Sequence, residues 1–271
     1  MLAPPGRQGS GGGYPCLVDD ARPRGRLRVG TSGFAYPDWA PRFYPAGLKA
    51  AGLLAHYAGR LPAVELNNTF YQQPTEAKIA SWIAATSADF RFVVKAQRGG
   101  AWRAVRSPDP TETTTWLTTP YRHFGDRLGA VLLRVEASTK VDLAMLERLL
   151  AAWPADIPVA LELQDPSWDL DEVHAILRRY GAGLVATDAD DADEPVLRRL
   201  GSFLYLRLRR STIGEADVDR WAERLSPFLD DGLDAFVFLR HDADGTNALL
   251  AERLEWMLSK EHPAPPQEGT S

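Results

Sequence analysis

Four charged side chains interrupt short apolar segments that have the composition of buried strands. They are Glu65 in Ala63–Leu66, Lys95 in Arg91–Lys95, Glu162 in Val159–Leu163 and Arg207 in Phe203–Leu208. An unpaired charge in such a segment is costly, so the two acids and the two bases are expected to neutralise each other. A carboxylate pair with a lysine supports general acid–base catalysis, and an arginine can hold an anionic group.

These segments belong to a series of eight that alternates with helical patterns. All eight are short, free of proline and rich in Val, Leu and Phe, which is typical of strands buried on both faces of a parallel sheet. The segments are Leu27–Thr31, Ala63–Leu66, Arg91–Lys95, Ala130–Leu133, Val159–Leu163, Gly183–Thr187, Phe203–Leu208 and Ala235–Leu239. The sequence therefore predicts an α/β fold with a single TIM-like (β/α)8 barrel over residues 27–260. The gap between strands six and seven is the shortest, which predicts a shortened helix there.

An open doubly wound sheet is the alternative fold. Such a sheet normally carries a G-x-G-x-x-G fingerprint after its first strand. The corresponding segment here, Gly30-Thr31-Ser32-Gly33-Phe34, does not have that spacing. The barrel is therefore favoured, and no cofactor is expected.

Further polar residues follow the predicted strands, at the ends that converge on the functional mouth of a parallel barrel. The candidates of this kind are Thr31, Ser32, Asn67, Asp188 and Asp242. Glu65, Lys95, Glu162 and Asp188 are the candidate catalytic residues. The candidates for substrate binding are Thr31, Ser32, Asn67, Arg207 and Asp242. Asp188 and Asp242 would orient the neighbouring side chains.

The four charged residues allow two interpretations. In one they form the floor of an active site, and in the other they are buried salt bridges that only specify the fold. We favour the active site, because ionisable groups concentrated at a barrel mouth are more often functional than structural.

Aromatic residues flank the same mouth. The candidate substrate-binding rings are Tyr36, Trp39, Phe70, Tyr71 and Trp168, and Phe34, Phe43 and Tyr44 accompany them. Rings beside a polar floor suit stacking on a sugar or a base. The interpretation that we favour slightly is a hydrophobic lid that closes the end of the barrel.

Metal binding is weakly supported by the sequence. None of the five histidines has the H-E-x-x-H or another ligand spacing. Carboxylates such as Glu65, Glu162, Asp188 and Asp242 could hold Mg²⁺, but Lys95 and Arg207 would oppose it. No metal is therefore expected.

Composition limits the location and partners of the protein. The net charge of −5 excludes a basic footprint over the whole surface, the single cysteine fits a reducing compartment, and no apolar run approaches a membrane span. A soluble cytoplasmic protein is expected. Residues 1–26, with six glycines and four prolines, are predicted to be a disordered tail, and residues 261–271 a flexible C-terminal tail.

Several blocks of the sequence resemble the domain-of-unknown-function 72 (YecE-like) family. The blocks are Gly30–Phe34 with Tyr36, Trp39 and Phe43–Pro45; Glu65, Asn67 and Thr69–Tyr71; Phe90–Phe92 with Lys95 and Ala96; and Glu162, Pro166–Trp168, Tyr205–Leu208 and Asp242. The resemblance covers about residues 27–258. It implies a TIM-like barrel and no established reaction.

The chain departs from the pattern of that family at four places. Gly99–Trp102 stands where a Thr-His pair is usual, Arg134–Glu136 replaces Gln-Leu-Pro, Gln164 replaces an arginine, and Arg240–Asp242 replaces Asn-Asn-Asp. These changes alter charge and hydrogen-bonding groups, so they indicate a divergent branch with a different ligand or a branch without activity.

The function that these observations favour is an enzyme that acts on a small polar substrate, sugar-like or phosphorylated, by acid–base chemistry. The alternative is a non-catalytic ligand-binding or nucleic-acid-associated barrel. In that alternative, phosphates would contact the arginines at the mouth, which are Arg98, Arg134, Arg207, Arg209 and Arg240.

Overall fold

A computed structural model describes residues 23–190 and 192–259. Its centre is an eight-stranded parallel sheet in the order β1-β8-β7-β6-β5-β4-β3-β2. The strands are β1 (Leu27–Thr31), β2 (Ala63–Leu66), β3 (Arg91–Lys95), β4 (Leu128–Val135), β5 (Val159–Leu163), β6 (Gly183–Asp188), β7 (Phe203–Leu208) and β8 (Asp234–Leu239). Every predicted strand lies within an observed one. A parallel bridge between Ser32 and Glu65 brings the two ends of the sheet together, so the predicted TIM-like barrel is confirmed.

Helices cover the outside of the barrel. They are α1 (Leu53–Ala58), α2 (Glu76–Ala84), α3 (Arg98–Arg106), α4 (Thr111–Thr118), α5 (Leu143–Ala151), α6 (Asp171–Tyr180), α7 (Glu215–Asp230) and α8 (Thr246–Leu258). Their apolar stripes pack against the outward-facing side chains of the strands. In the described part of the chain, no helix has the length and hydropathy that a membrane-spanning segment requires.

The connection between β6 and β7 differs from the others. Its described residues, 189–190 and 192–202, form no helix, so the helix predicted to be short is missing from this part of the chain. An acidic run that ends at Pro195 precedes the apolar residues, and this composition gives no amphipathic face over the first half of the connection. Leu197 and Leu200 cover this part of the barrel instead, and they pack against the core without forming a helix.

The interior of the barrel is apolar over most of its depth and charged at one end. Ten buried side chains fill it: Ala63, Val93, Ala130, Leu132, Ala160, Val185, Phe203, Tyr205, Phe236 and Phe238. Side chains two residues apart on a strand face the same way. The charged inward positions on the strands that follow this layer are therefore Glu65, Lys95, Arg134, Glu162 and Arg207. All five lie toward the carboxyl ends of their strands.

A tyrosine joins β1 to β2, where the ladder of backbone hydrogen bonds is interrupted. The Tyr57 hydroxyl of α1 accepts from the Thr31 N–H at 2.8 Å and donates to the Ala63 carbonyl oxygen at 3.0 Å. Glycine is required at position 30, because a Cβ there would lie 1.9 Å from the Ala63 carbonyl oxygen. The phenol therefore replaces a direct strand-to-strand hydrogen bond.

Tyr57→Phe is expected to lower the free energy of unfolding by about 1–3 kcal/mol, because the buried Thr31 N–H and Ala63 carbonyl lose their partner while the ring is kept. Urea denaturation measures the change. Tyr180→Phe is the matched control, because the Tyr180 hydroxyl donates to Glu147 at the surface. A change of less than about 0.5 kcal/mol is expected for that variant. Equal losses in the two variants would contradict the role of Tyr57.

Three residues before β1 contact the barrel. The Arg24 guanidinium donates to the Leu258 carbonyl oxygen and pairs with Asp230, and the Gly25 N–H donates to the Leu229 carbonyl oxygen at 2.7 Å. The Arg26 N–H donates to the Asp234 carboxylate. The packed region therefore includes residues 24–26, which the sequence assigned to the N-terminal tail. The rest of that tail, up to residue 22, and residues 260–271 lie outside the described residues.

Candidate functional site

The floor of the charged mouth is an arginine held between two carboxylates. Arg207 donates from Nη1 to Glu162 Oε1 at 2.5 Å and from Nη2 to Glu65 Oε1 at 2.8 Å. The Tyr205 hydroxyl donates to the other oxygen of Glu65, also at 2.8 Å. All four side chains are buried. They connect β2, β5 and β7 across the barrel, and three of the four predicted floor residues therefore meet directly.

Glu65 is an ionised carboxylate in this arrangement. Burial alone would raise its pKa, but the positive charge of Arg207 and the hydrogen bond from Tyr205 outweigh burial, and the pKa lies below its ordinary value. Both carboxylate oxygens are occupied. Glu65 is therefore suited to positioning Arg207 and poorly suited to exchanging a proton with a ligand.

Polar atoms of the floor lack a hydrogen-bond partner within the described residues. They are Arg134 Nε, Glu162 Oε2 and Arg207 Nε, and all three are buried. Arg134 Nε and Glu162 Oε2 lie 3.9 Å apart, on neighbouring positions of the β4–β5 register. A buried acceptor and two buried donors without partners are unusual in a native protein, and they indicate a place where a ligand or water completes the hydrogen bonding.

Lys95 lies beside this floor and differs from Arg207 in its partners. Its Nζ is 4.7 Å from the centroid of the Phe70 ring, and within the described residues no carboxylate oxygen is at ion-pair distance. Burial and the charge of Arg207 lower the pKa of Lys95, against the opposing effect of Glu162 and Glu65. The amine is therefore easier to deprotonate than an ordinary lysine, as required of an acid–base group near neutral pH.

A second arginine lies on the opposite side of the mouth. Arg209 donates from Nη1 to Ser32 Oγ at 3.1 Å, and the Tyr36 hydroxyl donates to the Ser32 carbonyl oxygen at 2.8 Å. The Tyr36 ring stacks on His241 with 4.8 Å between the ring centroids. Burial and the nearby Arg207 lower the pKa of Arg209. Lys95, Arg134, Arg207 and Arg209 thus lie at the mouth together with Glu65 and Glu162.

A family model described as "Protein of unknown function DUF72" matches residues 28–270. The chain belongs to the DUF72 family. Two solved structures of DUF72 proteins are similar to it. The one from Thermotoga maritima is 25% identical, with a TM-score of 0.69, and the match covers 86% of this chain and 98% of that one. The one from Enterococcus faecalis is 18% identical, with a TM-score of 0.70 and coverage of 88% and 100%, and it shows the fold alone. No curated protein matches the chain.

The two aspartates predicted for the site of this DUF72 protein lie away from the floor. Asp188 pairs with Leu208 in the register, one position beyond Arg207, so its side chain faces the helical layer. There it accepts from Arg210 Nε at 2.5 Å and from Trp221 Nε1 at 3.2 Å. Asp242 accepts from two backbone N–H groups at the start of α8. Both aspartates hold helices in place.

The predicted aromatic residues divide into two groups. Trp39 and Trp168 are buried, and their indole N–H groups donate to backbone carbonyl oxygens, which fits the interpretation as a hydrophobic lid. Phe70 is half-buried beside Lys95, and Tyr71 is 78% exposed. Tyr36 lies at the rim over Ser32. Only the last three rings are therefore placed to contact a ligand.

The remaining predicted residues are Thr31, Ser32 and Asn67, and the first two form hydrogen bonds within the protein. The Thr31 hydroxyl donates to the Gly33 carbonyl oxygen and belongs to the join between β1 and β2, whereas Ser32 holds Arg209. Asn67 is half-buried after β2. Within the described residues, no three His, Cys, Asp or Glu side chains are arranged so that they could hold a metal ion.

Arg134, Arg209 and Tyr205 are site residues that the sequence analysis did not include among the catalytic and substrate-binding candidates of the enzyme. The alternation of side chains along a strand indicates that these residues face the interior of the barrel. Tyr205, Arg207 and Arg209 are two residues apart on β7 and beyond it, and Arg134 follows the inward-facing Leu132 by two residues. The sequence had assigned Arg134 and Arg209 only to phosphate contacts.

Proposed function

We propose that this DUF72 protein is an enzyme that binds a small anionic substrate, sugar-like or phosphorylated, at the charged mouth and transfers protons there. The observation that carries the proposal is the set of buried floor atoms without a partner in the described residues: Arg134 Nε, Glu162 Oε2 and Arg207 Nε. The charge at the rim supports it, because the partly exposed cations Lys95, Arg134 and Arg209 attract an anion. We place the protein in the cytoplasm, because a single cysteine fits a reducing compartment.

The residues of the floor have different roles in this proposal. Both terminal nitrogens of Arg207 are occupied by glutamates, so its main role is to position Glu65 and Glu162. Arg134 and Arg209 at the rim bind the anionic group of the substrate, and Arg207 Nε is a further hydrogen-bond donor. Arg134 is 38% exposed and can move to uncover Glu162 Oε2.

Proton transfer is assigned to Glu162 and Lys95. Glu162 Oε2 accepts a proton from the substrate, and the Lys95 ammonium donates one to a substrate oxygen, so that the net charge of the pair is unchanged by the two transfers. The lowered pKa of Lys95 favours donation at neutral pH. Glu65 acts through Arg207 and does not contact the substrate in this proposal.

The alternative of a nucleic-acid-associated barrel is less well supported by the position of Arg207. It relies on arginines that reach phosphates from the surface. Arg207 is buried between Glu65 and Glu162 and is not available to a strand.

Turnover of a panel of sugar phosphates and sugar acids tests the proposal. Glu162→Gln is expected to lower the turnover of any substrate found by about tenfold or more, because the amide keeps a hydrogen bond to Arg207 but accepts no proton. Asp188→Asn is the matched control, since that carboxylate faces α7 and should leave turnover close to that of the unmodified protein. Full activity in Glu162→Gln, or an equal loss in both variants, would reject these roles.

A further inference from the structure

A groove extends from the mouth along the exposed face of α3. Arg98, Trp102 and Arg106 are spaced four residues apart, so they form one stripe on the helix surface. All three are exposed, whereas Ala101 and Val105 are buried against the barrel. The Arg106 guanidinium lies 4.6 Å from the centroid of the Trp102 ring.

The groove has a wide part and a narrow part. The wide part is a cavity of about 360 Å³ lined by Phe70, Tyr71, Gln97, Arg98, Gly99 and Trp102. The narrow part is a cavity of about 20 Å³ that shares Phe70, Arg98 and Trp102 with the wide part and is also lined by Arg134. Phe70 also contacts Lys95, and Arg134 lies beside Glu162, so the narrow part of the groove adjoins the floor.

The side chains of the groove combine exposed rings with positive charge. Tyr71 is 78% exposed and Trp102 is 50% exposed, although large aromatic side chains usually bury most of their surface. Arg98, Arg106 and Arg134 line the groove with a single carboxylate, Glu136, among its lining residues. Rings that stack and arginines that bind phosphate are the combination by which proteins hold nucleotides.

We infer that this groove binds a nucleotide, with the base against Trp102 and Tyr71 and the phosphate between Arg98 and Arg134. The volume of the wide part is at the lower end of the range for small-molecule sites and is sufficient for a base and its ribose. The phosphate then lies toward Lys95 and Glu162. This assignment of substrate class rests on the proposed function for the reacting end of the ligand, whereas the contact with the rings does not depend on catalysis.

Calorimetric titration of the Glu162→Gln variant measures binding while turnover is reduced. Adenosine monophosphate is expected to bind about tenfold more tightly than ribose 5-phosphate, because stacking of one base contributes about 1.4 kcal/mol. Trp102→Ala in the same background should abolish this difference and leave the affinity for ribose 5-phosphate unchanged. Trp256→Ala, which removes an exposed indole from α8, is the matched control and should preserve the difference.

Two results would overturn the inference: equal affinities for the two phosphates before any ring is removed, or equal effects of the two tryptophan substitutions. If either occurs while Glu162→Gln still lowers the turnover of another anionic substrate as expected, the proposed function stands and the nucleotide assignment fails. Binding that depends on Trp102 without turnover of any nucleotide supports the groove and counts against the enzyme. Tighter binding of a short oligothymidylate than of thymidine monophosphate supports the groove and identifies a strand as the source of the nucleotide.

Discussion

Arg207→Met is expected to lower the free energy of unfolding by about 3–5 kcal/mol at neutral pH, because it leaves two buried carboxylates without their shared cation. Glu65 is fully buried and Glu162 nearly so, and each accepts a hydrogen bond from Arg207. Methionine fills a similar volume, so the loss reflects the charges more than a cavity. Chemical denaturation at neutral pH measures it.

The same variant should show an altered dependence of stability on pH. In the unmodified protein the pKa of Glu65 is lowered by folding, so its contribution to stability is present above the unfolded pKa and is lost as the pH falls through the folded one. Without Arg207, burial raises the pKa of Glu65 above its unfolded value. The folded variant then binds more protons than the unfolded chain, and its stability deficit should shrink between neutral pH and about pH 5.

Arg134→Met is the control for the buried pair. Arg134 is 38% exposed and lies 3.9 Å from Glu162, so the loss should be about 1 kcal/mol or less. A comparable loss in the two variants, or a deficit in Arg207→Met that does not change with pH, would show that the buried carboxylates are not the source of the effect.

Lys95→Met is expected to lower turnover by about 10²–10⁴-fold while the free energy of unfolding stays unchanged or rises. The physical reason is that Lys95 is desolvated beside Arg207 and, within the described residues, has no carboxylate at ion-pair distance. Removing such a charge relieves repulsion and leaves no partner unpaired. Stability and turnover are measured on the same preparation, because a purely structural lysine would lower both.

The pH profile of turnover gives a second readout for Lys95. As the proton donor, Lys95 must be charged, so activity falls as the pH rises through its pKa, which burial and Arg207 hold below the ordinary value for lysine. Lys95→Arg keeps the charge and should move the alkaline limb to higher pH. An unchanged alkaline limb in Lys95→Arg, or a loss of several kcal/mol in Lys95→Met, would count against Lys95 as the donor.

The sequence could predict the floor because the floor follows from strand alternation. Glu65, Glu162 and Arg207 are each two residues beyond an inward-facing apolar side chain, so a charge there must be paired inside the barrel. Asp188 illustrates where that reasoning needs the register. It follows Thr187, the position opposite Arg207, and a shift of one residue turns a side chain from the interior to the helical layer.

The loops were less predictable than the strands. Whether Trp39 and Trp168 contact a ligand or close the barrel depends on the path of the chain after the strand, which has no periodic signal. The same holds for Asp242, whose carboxylate is used by the backbone of α8. The sequence predicts a short helix between β6 and β7, but the described residues of this connection form none. The length of a connection limits a helix but does not specify the segment that covers the barrel in its place.

The join between β1 and β2 has a consequence for the assembly of the barrel during synthesis. β1 has its full backbone ladder with β8, the last strand of the described residues, whereas a single bridge and the Tyr57 hydroxyl connect it to β2. During synthesis β1 is therefore without its ladder partner until Asp234–Leu239 have been made. Pairing of such distant segments is slow, and it leaves an unpaired strand edge exposed in the nascent chain. A chaperone that covers unpaired strand edges is consequently expected to act mainly before the barrel closes at β1.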